Sequence, residues 1–344
     1  MIRMECDYSE GAHPWILQRL LDTNLEQSPG YGTDGYCERA RELIRAACHA
    51  PQAAVEFLVG GTQANATVIA ALLRPYQGAV CADTGHIHVH ETGAVEAAGH
   101  KILPLPSLDG KLLPQDLEQL CAAHFADPSR EHMVQPGMVY LSHPTECGTL
   151  YTRQELEEIR KVCDRWSLPL FIDGARCGYG LAAEGADVDL PDLARLAHVF
   201  TIGGTKVGAL FGEAVVMPDP GLLPDFRYMI KRHGGMLAKG RLLGIQFETL
   251  FEDDLYRQLG RHAVELAGQI RAALQRQGIP QRFPTTANQI FAVFTPEQRA
   301  KLEEYFLFNF WEELPDGRVV LRICTSWATS AGDVDALCAA LAEL

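Results

Sequence analysis

Lys206 closes the run Val199-Phe200-Thr201-Ile202-Gly203-Gly204-Thr205-Lys206, in which an apolar stretch passes through two glycines before reaching an amine. A lysine in that setting is either a surface charge or a desolvated amine, and a desolvated amine has a lowered pKa and condenses with aldehydes to imines. Asp173 stands similarly at the tip of Phe171-Ile172-Asp173-Gly174-Ala175-Arg176. A carboxylate ending an apolar strand is costly unless it caps the next turn or meets a cation. A pyridinium nitrogen is one such cation, and the pairing would keep that ring protonated and electron-withdrawing. Gly60-Gly61-Thr62-Gln63-Ala64-Asn65 lies between an apolar run and a helical pattern. It suits an ordinary turn, and equally an anion approaching free N–H groups at a helix start. The Lys-Ser/Thr ending of a P-loop is missing.

Two further segments carry chemistry. Asp83-Thr84-Gly85-His86-Ile87-His88-Val89-His90-Glu91 spaces three histidines at period two. In a strand they would share a face, but no distant carboxylate or histidine group completes a ligand set, so no metal is assigned. In a helix His86 and His90 share a face, and one histidine can serve as an aromatic lid or proton shuttle; a solvated loop fits as well. Arg322 lies inside Val319-Val320-Leu321-Arg322-Ile323-Cys324-Thr325. A guanidinium in an apolar strand needs an anion, either a structural partner or a substrate carboxylate suited to its bidentate fork.

Short apolar runs alternate with helical patterns over much of the chain, and these elements must position the groups above. Val55–Val59, Ala79–Ala82, Met138–Leu141, Leu170–Ile172, Val199–Ile202 and Ala214–Met217 read as strands, with helices at Thr62–Leu73, Pro114–His124 and Thr152–Trp166. Such alternation predicts a mostly parallel sheet covered on both faces, with ligands beyond the strand ends. After Pro224 the texture shifts to a long helical region from Gly240 to Gln277, then strands at Gln289–Phe294 and Val319–Thr325 between helices. The expected fold is thus α/β, with a large domain over residues 26–235 and a smaller α+β domain from residues 1–25 and 236–344. A net charge of −14 opposes binding to nucleic acid or an anionic membrane, and no apolar run reaches the length of a membrane span. Ten cysteines without a CxxC pair read as reduced thiols, and the acidic N-terminal stretch is no signal peptide, so a soluble cytoplasmic protein is expected.

Taken together and in this order, these segments resemble the low-specificity L-threonine aldolases, within the aspartate-aminotransferase-like (fold type I) enzymes dependent on pyridoxal phosphate and near the β-eliminating lyases. The resemblance runs from Asp7-Tyr8-Ser9-Glu10-Gly11 through Tyr31-Gly32 to Arg322. It implies that Gly61, Thr62 and Gln63 bind the cofactor phosphate and that His86, followed by Glu91 and Gly93, stacks on its ring. It further implies that Asp173 meets the pyridine nitrogen and that Lys206 forms the Schiff base. Arg176 would hold cofactor or substrate anion, with Asp7 and Arg322 on the substrate side. Departures surround the substrate: Thr205 precedes the lysine, Thr33 stands beside Asp34, and His143-Pro144-Thr145-Glu146-Cys147-Gly148 replaces Glu-Asn-Thr-His-Asn-Gly.

The implied reaction is retro-aldol cleavage of a β-hydroxy-α-amino acid to glycine and an aldehyde. His86, or a water it orients, is the first candidate for the base that takes the hydroxyl proton, and His132 the second. A β-eliminating lyase or an aminotransferase on the same fold is the alternative. The family also implies a homodimer or homotetramer with shared active sites, in which Lys231 and Arg232 reach a neighbouring phosphate.

Overall fold

The computed structural model describes residues 1–344. Its strands are, in chain order, β1 (Ile2–Arg3), β2 (Ala54–Leu58), β3 (Gln77–Ala82), β4 (Lys101–Leu105), β5 (Gln135–Ser142), β6 (Leu170–Asp173), β7 (Val199–Gly203), β8 (Glu213–Met217), β9 (Gln289–Phe294), β10 (Phe306–Leu307), β11 (Asn309–Glu313) and β12 (Val319–Cys324). Seven of them form one sheet in the order β2-β8-β7-β6-β5-β3-β4. Neighbours from β7 to β4 are parallel, and β8 alone runs against the rest, antiparallel to both β7 and β2. The expected mostly parallel sheet is therefore present. Its alternating side chains split between two cores: Leu170, Ile172, Phe200 and Ile202 face one layer, Phe171, Val199 and Tyr140 the other. No helix is long and apolar enough to cross a membrane.

Three features differ from the reading of the sequence. β4 was not anticipated, because Pro104 interrupts its apolar pattern; as an edge strand it bonds to β3 alone and tolerates the missing N–H. The region Gly240–Gln277 is two helices, Arg241–Phe251 and Leu255–Arg276, broken at Asp253 (φ 51°) and Asp254 (φ 59°). Acidic side chains at a helix C-terminus oppose the helix dipole, and aspartate tolerates the left-handed conformation, so the acidic triplet Glu252–Asp254 stops the first helix.

The third difference concerns where the cores meet. Helix Arg241–Phe251 packs Leu243, Phe247 and Leu250 into the larger core. Helix Leu255–Arg276 starts in that core with Leu255, Leu259 and Ala263, then enters the smaller one with Leu266, Ile270 and Leu274. The change of core thus falls within this helix, well after the boundary at residue 235 that texture suggested. Met4 belongs to the smaller core, with β1 paired to β10, whereas Ile16 of helix Pro14–Asp22 belongs to the larger. The antiparallel sheet β11-β12-β9 forms the other wall of the smaller core.

Candidate active site

The strand directions bring the chemistry to one edge of the sheet. Gly60–Thr62 follow β2, Asp83–His86 follow β3, Ser142 ends β5 with His143–Glu146 after it, Asp173 ends β6 and Lys206 follows β7, while reversed β8 begins there with Glu213. Two adjoining cavities open at this edge. The inner, of about 340 Å³, is lined by Gly60, Gly61, Thr62, Asp173, Lys206 and Glu213 among others. The outer, of about 590 Å³, lies between that edge and the smaller domain, with Phe310, Trp311 and Arg322 on its far wall. His86, Glu146, Arg176 and Lys206 line both.

Asp173 is fixed by strand register. Ser142 pairs with Asp173 and Tyr140 with Phe171, and alternation puts Tyr140 and Asp173 on one face. Its Oδ2 accepts from Tyr140 OH (2.7 Å) and Asn65 Nδ2 (2.9 Å), and its Oδ1 from Ala175 N (2.9 Å). Burial pushes this carboxyl up, but the His86 charge and the bonds from Tyr140 and Asn65 outweigh it and hold the group below the usual carboxylate range. Gly174 is required for the turn that follows, since a Cβ there would lie 2.1 Å from Thr201 O.

Lys206 sits in a tight turn between β7 and β8, where Gly204 N and Thr205 N both donate to Gly212 O (2.9 and 3.3 Å). Its Nζ makes no hydrogen bond or ion pair, and burial first, then the Arg176 charge, lowers its pKa. That is the desolvated amine of the two alternatives read from the sequence. Glu213 shares the inner cavity; burial pushes its carboxyl up, and Oε2 has no partner.

His86 opens a one-turn helix, His86–Val89, so the period-two histidine face does not exist and His88 is exposed. Its Nδ1 bonds to Glu91 Oε1 (2.7 Å), which Asn65 also holds (2.7 Å). Burial lowers the pKa of His86, but Glu91, Asp173 and Glu146 together raise it above the ordinary histidine value. Glu146 Oε1 accepts from His86 N (2.8 Å) and from Ser142 Oγ. Glu146, Tyr140, Asn65 and Glu213 were not singled out from the sequence. A polar residue two places before Ser142 on the Asp173 face was the available signal for Tyr140; the others depend on contacts far apart in the chain.

The arginines differ in their partners. Arg176 donates from Nε and Nη2 to Asp7 Oδ2 and Oδ1 (2.7 and 3.0 Å), and Asn288 Nδ2 donates to Asp7 Oδ2 (2.9 Å). Asp7 is completely buried and lines neither cavity, so its expected place on the substrate side is corrected: both oxygens are spent on holding Arg176. Arg322 forms no ion pair; Nη2 bonds only to Glu5 O (3.2 Å) and Nε is buried without a partner. The structure therefore shows no ion pair of the kind weighed from the sequence for this residue.

The Gln63 side chain turns away from the cavities, accepting from Val59 N (3.1 Å) and donating to His233 O (3.1 Å), so its backbone N–H is the group it offers at the helix start. One other expectation needs correction. His132 is exposed in a different cleft with Lys101 and His124, before the N-terminal end of β5. The eight residues of β5 put it about 25 Å from the active edge, too far for a base.

These residues fit pyridoxal phosphate. Helix Gly61–Leu72 has no side-chain cap, and its first internal bond is Ala64 N to Gly60 O (3.0 Å), which leaves the N–H groups of Gly61, Thr62 and Gln63 free for a phosphate. A Cβ on Gly60 or Gly61 would meet nothing within 4 Å, so the space beside them is open. An ionised Asp173 and an unbonded Lys206 amine line the same cavity.

Comparison with known proteins agrees with this geometry. The chain is 41% identical to a threonine aldolase of Leishmania major whose solved structure superposes with a TM-score of 0.96, covering 100% of this chain and 99% of that one. It is 30% identical to the low specificity L-threonine aldolase of Pseudomonas aeruginosa over 83% of this chain and 82% of that protein. Aspartate aminotransferase from Thermus thermophilus, at 15% identity, shares the fold with a TM-score of 0.70 over 100% of this chain and 91% of its own. The fold is that of the fold type I pyridoxal-phosphate enzymes, as expected. Because the model of the beta-eliminating lyases also matches residues 16–296, the chain belongs to the beta-eliminating lyase family.

Proposed function

We propose that this protein is a pyridoxal-phosphate-dependent aldolase that cleaves L-threonine, L-allo-threonine or related β-hydroxy-α-amino acids to glycine and an aldehyde. The observation that carries the reading is the presence of two cations without a counter-ion on the walls of one cavity: the buried Lys206 amine and the Arg322 guanidinium, whose one bond is to a backbone carbonyl. The first suits a covalent bond to an aldehyde cofactor, the second a substrate carboxylate. The names of the Leishmania and Pseudomonas relatives support the same substrate class.

Gly61, Thr62 and Gln63 would hold the cofactor phosphate through backbone N–H groups, Asp173 its pyridine nitrogen, and Lys206 its aldehyde carbon. When bound, the cofactor supplies an electron sink for the pair released at Cα. Arg322 anchors the substrate carboxylate and so limits rotation about the bonds at Cα. Arg176, neutralised by Asp7 through Nε and Nη2, lines both cavities and would offer its remaining Nη1 to the cofactor or substrate anion. His86, held by Glu91, would pack its ring against the bound cofactor and contribute positive charge there. Phe310, Trp311 and Tyr8 line the outer cavity, where an apolar β-substituent would sit.

A homodimer or homotetramer is part of this reading. Trp15, Leu21, Leu25 and Tyr228 are exposed, and a second copy would cover them. Lys231 and Arg232 end helix Phe226–Arg232, where they are available to a neighbouring phosphate. We place the protein in the cytoplasm, since ten cysteines, none paired, suit a reducing compartment.

The test is product analysis of the protein loaded with pyridoxal phosphate and given L-threonine or L-allo-threonine. Acetaldehyde with glycine is expected, and neither should form with Lys206→Ala. Ammonia with a keto acid would reassign the protein as an eliminating lyase, and exchange of the amino group as an aminotransferase.

A further inference from the structure

Glu146 is the one carboxylate that lines both cavities: Asp173 and Glu213 line only the inner, and Asp83 only the outer. A substrate held on a cofactor in the inner cavity with its β-carbon directed outward would have its scissile Cα–Cβ bond near the residues that line both cavities. Glu146 is prepared for a role there. Oε1 is occupied by His86 N and Ser142 Oγ, which leaves Oε2 as the oxygen not bonded to another residue on a side chain that lines both cavities. Its loop is stiff: Thr145 N bonds to Thr149 O (2.9 Å), the two threonine hydroxyls meet at 2.7 Å, and Thr149 Oγ1 donates to Asp109 O (2.8 Å).

We propose that Glu146 is the catalytic base that takes the proton from the substrate β-hydroxyl. The inference rests on the aldolase reading above. In the cleavage direction the β-O–H bond breaks and its proton passes to Oε2. The freed pair forms the aldehyde C=O, and the Cα–Cβ pair moves to Cα, where the cofactor disperses it. Water of the open outer cavity supplies the proton that adds at Cα to give glycine and takes back the one held by Glu146, so no net proton is gained or lost.

His86 is poorly suited to that step. Its Nδ1 is committed to Glu91, and the surrounding Glu91, Asp173 and Glu146 favour the imidazolium, which has no lone pair to accept a proton. Its charge instead faces Glu146 and helps keep that group ionised. Burial makes Glu146 a stronger acceptor than an exposed carboxylate, which favours proton transfer near neutral pH.

The experiment compares Glu146→Gln with the parent holoenzyme in two reactions. Glutamine keeps the shape and still accepts from His86 N and Ser142 Oγ. Exchange of the glycine α-protons with D2O, followed by NMR, uses the cofactor and the carboxylate anchor but no β-hydroxyl. Acetaldehyde release is expected to fall about a hundredfold or more, with glycine exchange and the bound-cofactor absorbance within about threefold of the parent. Aldehyde release within about threefold of the parent would overturn the proposal. So would a parallel loss of exchange and cleavage, which marks a structural prop. A parent that exchanges glycine protons yet releases no aldehyde would instead refute the aldolase reading on which the proposal stands.

Discussion

Asp7 tests the site most sharply, because the sequence suggests a residue facing substrate and the structure makes it a support for Arg176. Its side chain is 0% exposed and that of Arg176 13%, with two hydrogen bonds between them. Asp7→Asn preserves shape and one acceptor oxygen but leaves the guanidinium buried without a counter-charge. Breaking a buried pair from one side costs about 3–5 kcal/mol, and the retained oxygen places this variant near about 3 kcal/mol. Unfolding entropy of about 2.1 cal/mol/K per residue over 344 residues is about 0.7 kcal/mol/K, so the midpoint should drop by about 4 °C. Thermal unfolding of the cofactor-free protein measures it. The double variant Asp7→Asn with Arg176→Met removes the stranded charge and should recover part of the loss, giving a coupling energy clearly different from zero. An Asp7→Asn midpoint within about 1 °C of the parent, together with a raised KM for the amino acid, would refute this reasoning and return Asp7 to the substrate.

Three other expectations are directly measurable. Arg322→Leu should lower kcat/KM for the amino acid by about 10–100-fold, the loss of a charge-assisted bond worth about 1.5–3 kcal/mol, with little change in stability because Arg322 has no ion pair; steady-state kinetics and a melt check both. Asp173→Asn should lower kcat by about a hundredfold and alter the bound-cofactor absorbance, since the ionised partner of the ring nitrogen is gone; unchanged turnover would discredit its role. His143 is buried, and burial lowers its pKa to about 4. The unfolded chain, with a histidine near 6.5, then binds more protons between the two values, so the stabilisation is complete above about 6.5 and is lost as pH falls toward 4. Between pH 7.5 and 5.0 this amounts to about 2 kcal/mol, and urea unfolding of His143→Gln should show a pH dependence smaller by about that amount.

The sequence alone determined the local parts of this protein. Short apolar runs between helical patterns located the strands that became β2, β3 and β5 to β8, because burial on both faces of a parallel sheet demands such runs. Glycines and charges at their ends marked Gly61, Asp173 and Lys206, since a lysine or an aspartate ending an apolar strand has few inexpensive environments. Tertiary structure decided which charges remain free. Arg176 and Arg322 look alike as isolated arginines near apolar residues, yet Asp7, 169 positions away, neutralises the first, and no carboxylate reaches the second. The reach of Glu146 into both cavities likewise depends on a loop held by Asp109 and on the neighbouring His86, neither adjacent to it in sequence. Local patterns record what a segment buries, because burial is decided by the segment's own side chains. Which charge meets which is a matter of three-dimensional distance, and only the folded chain sets it.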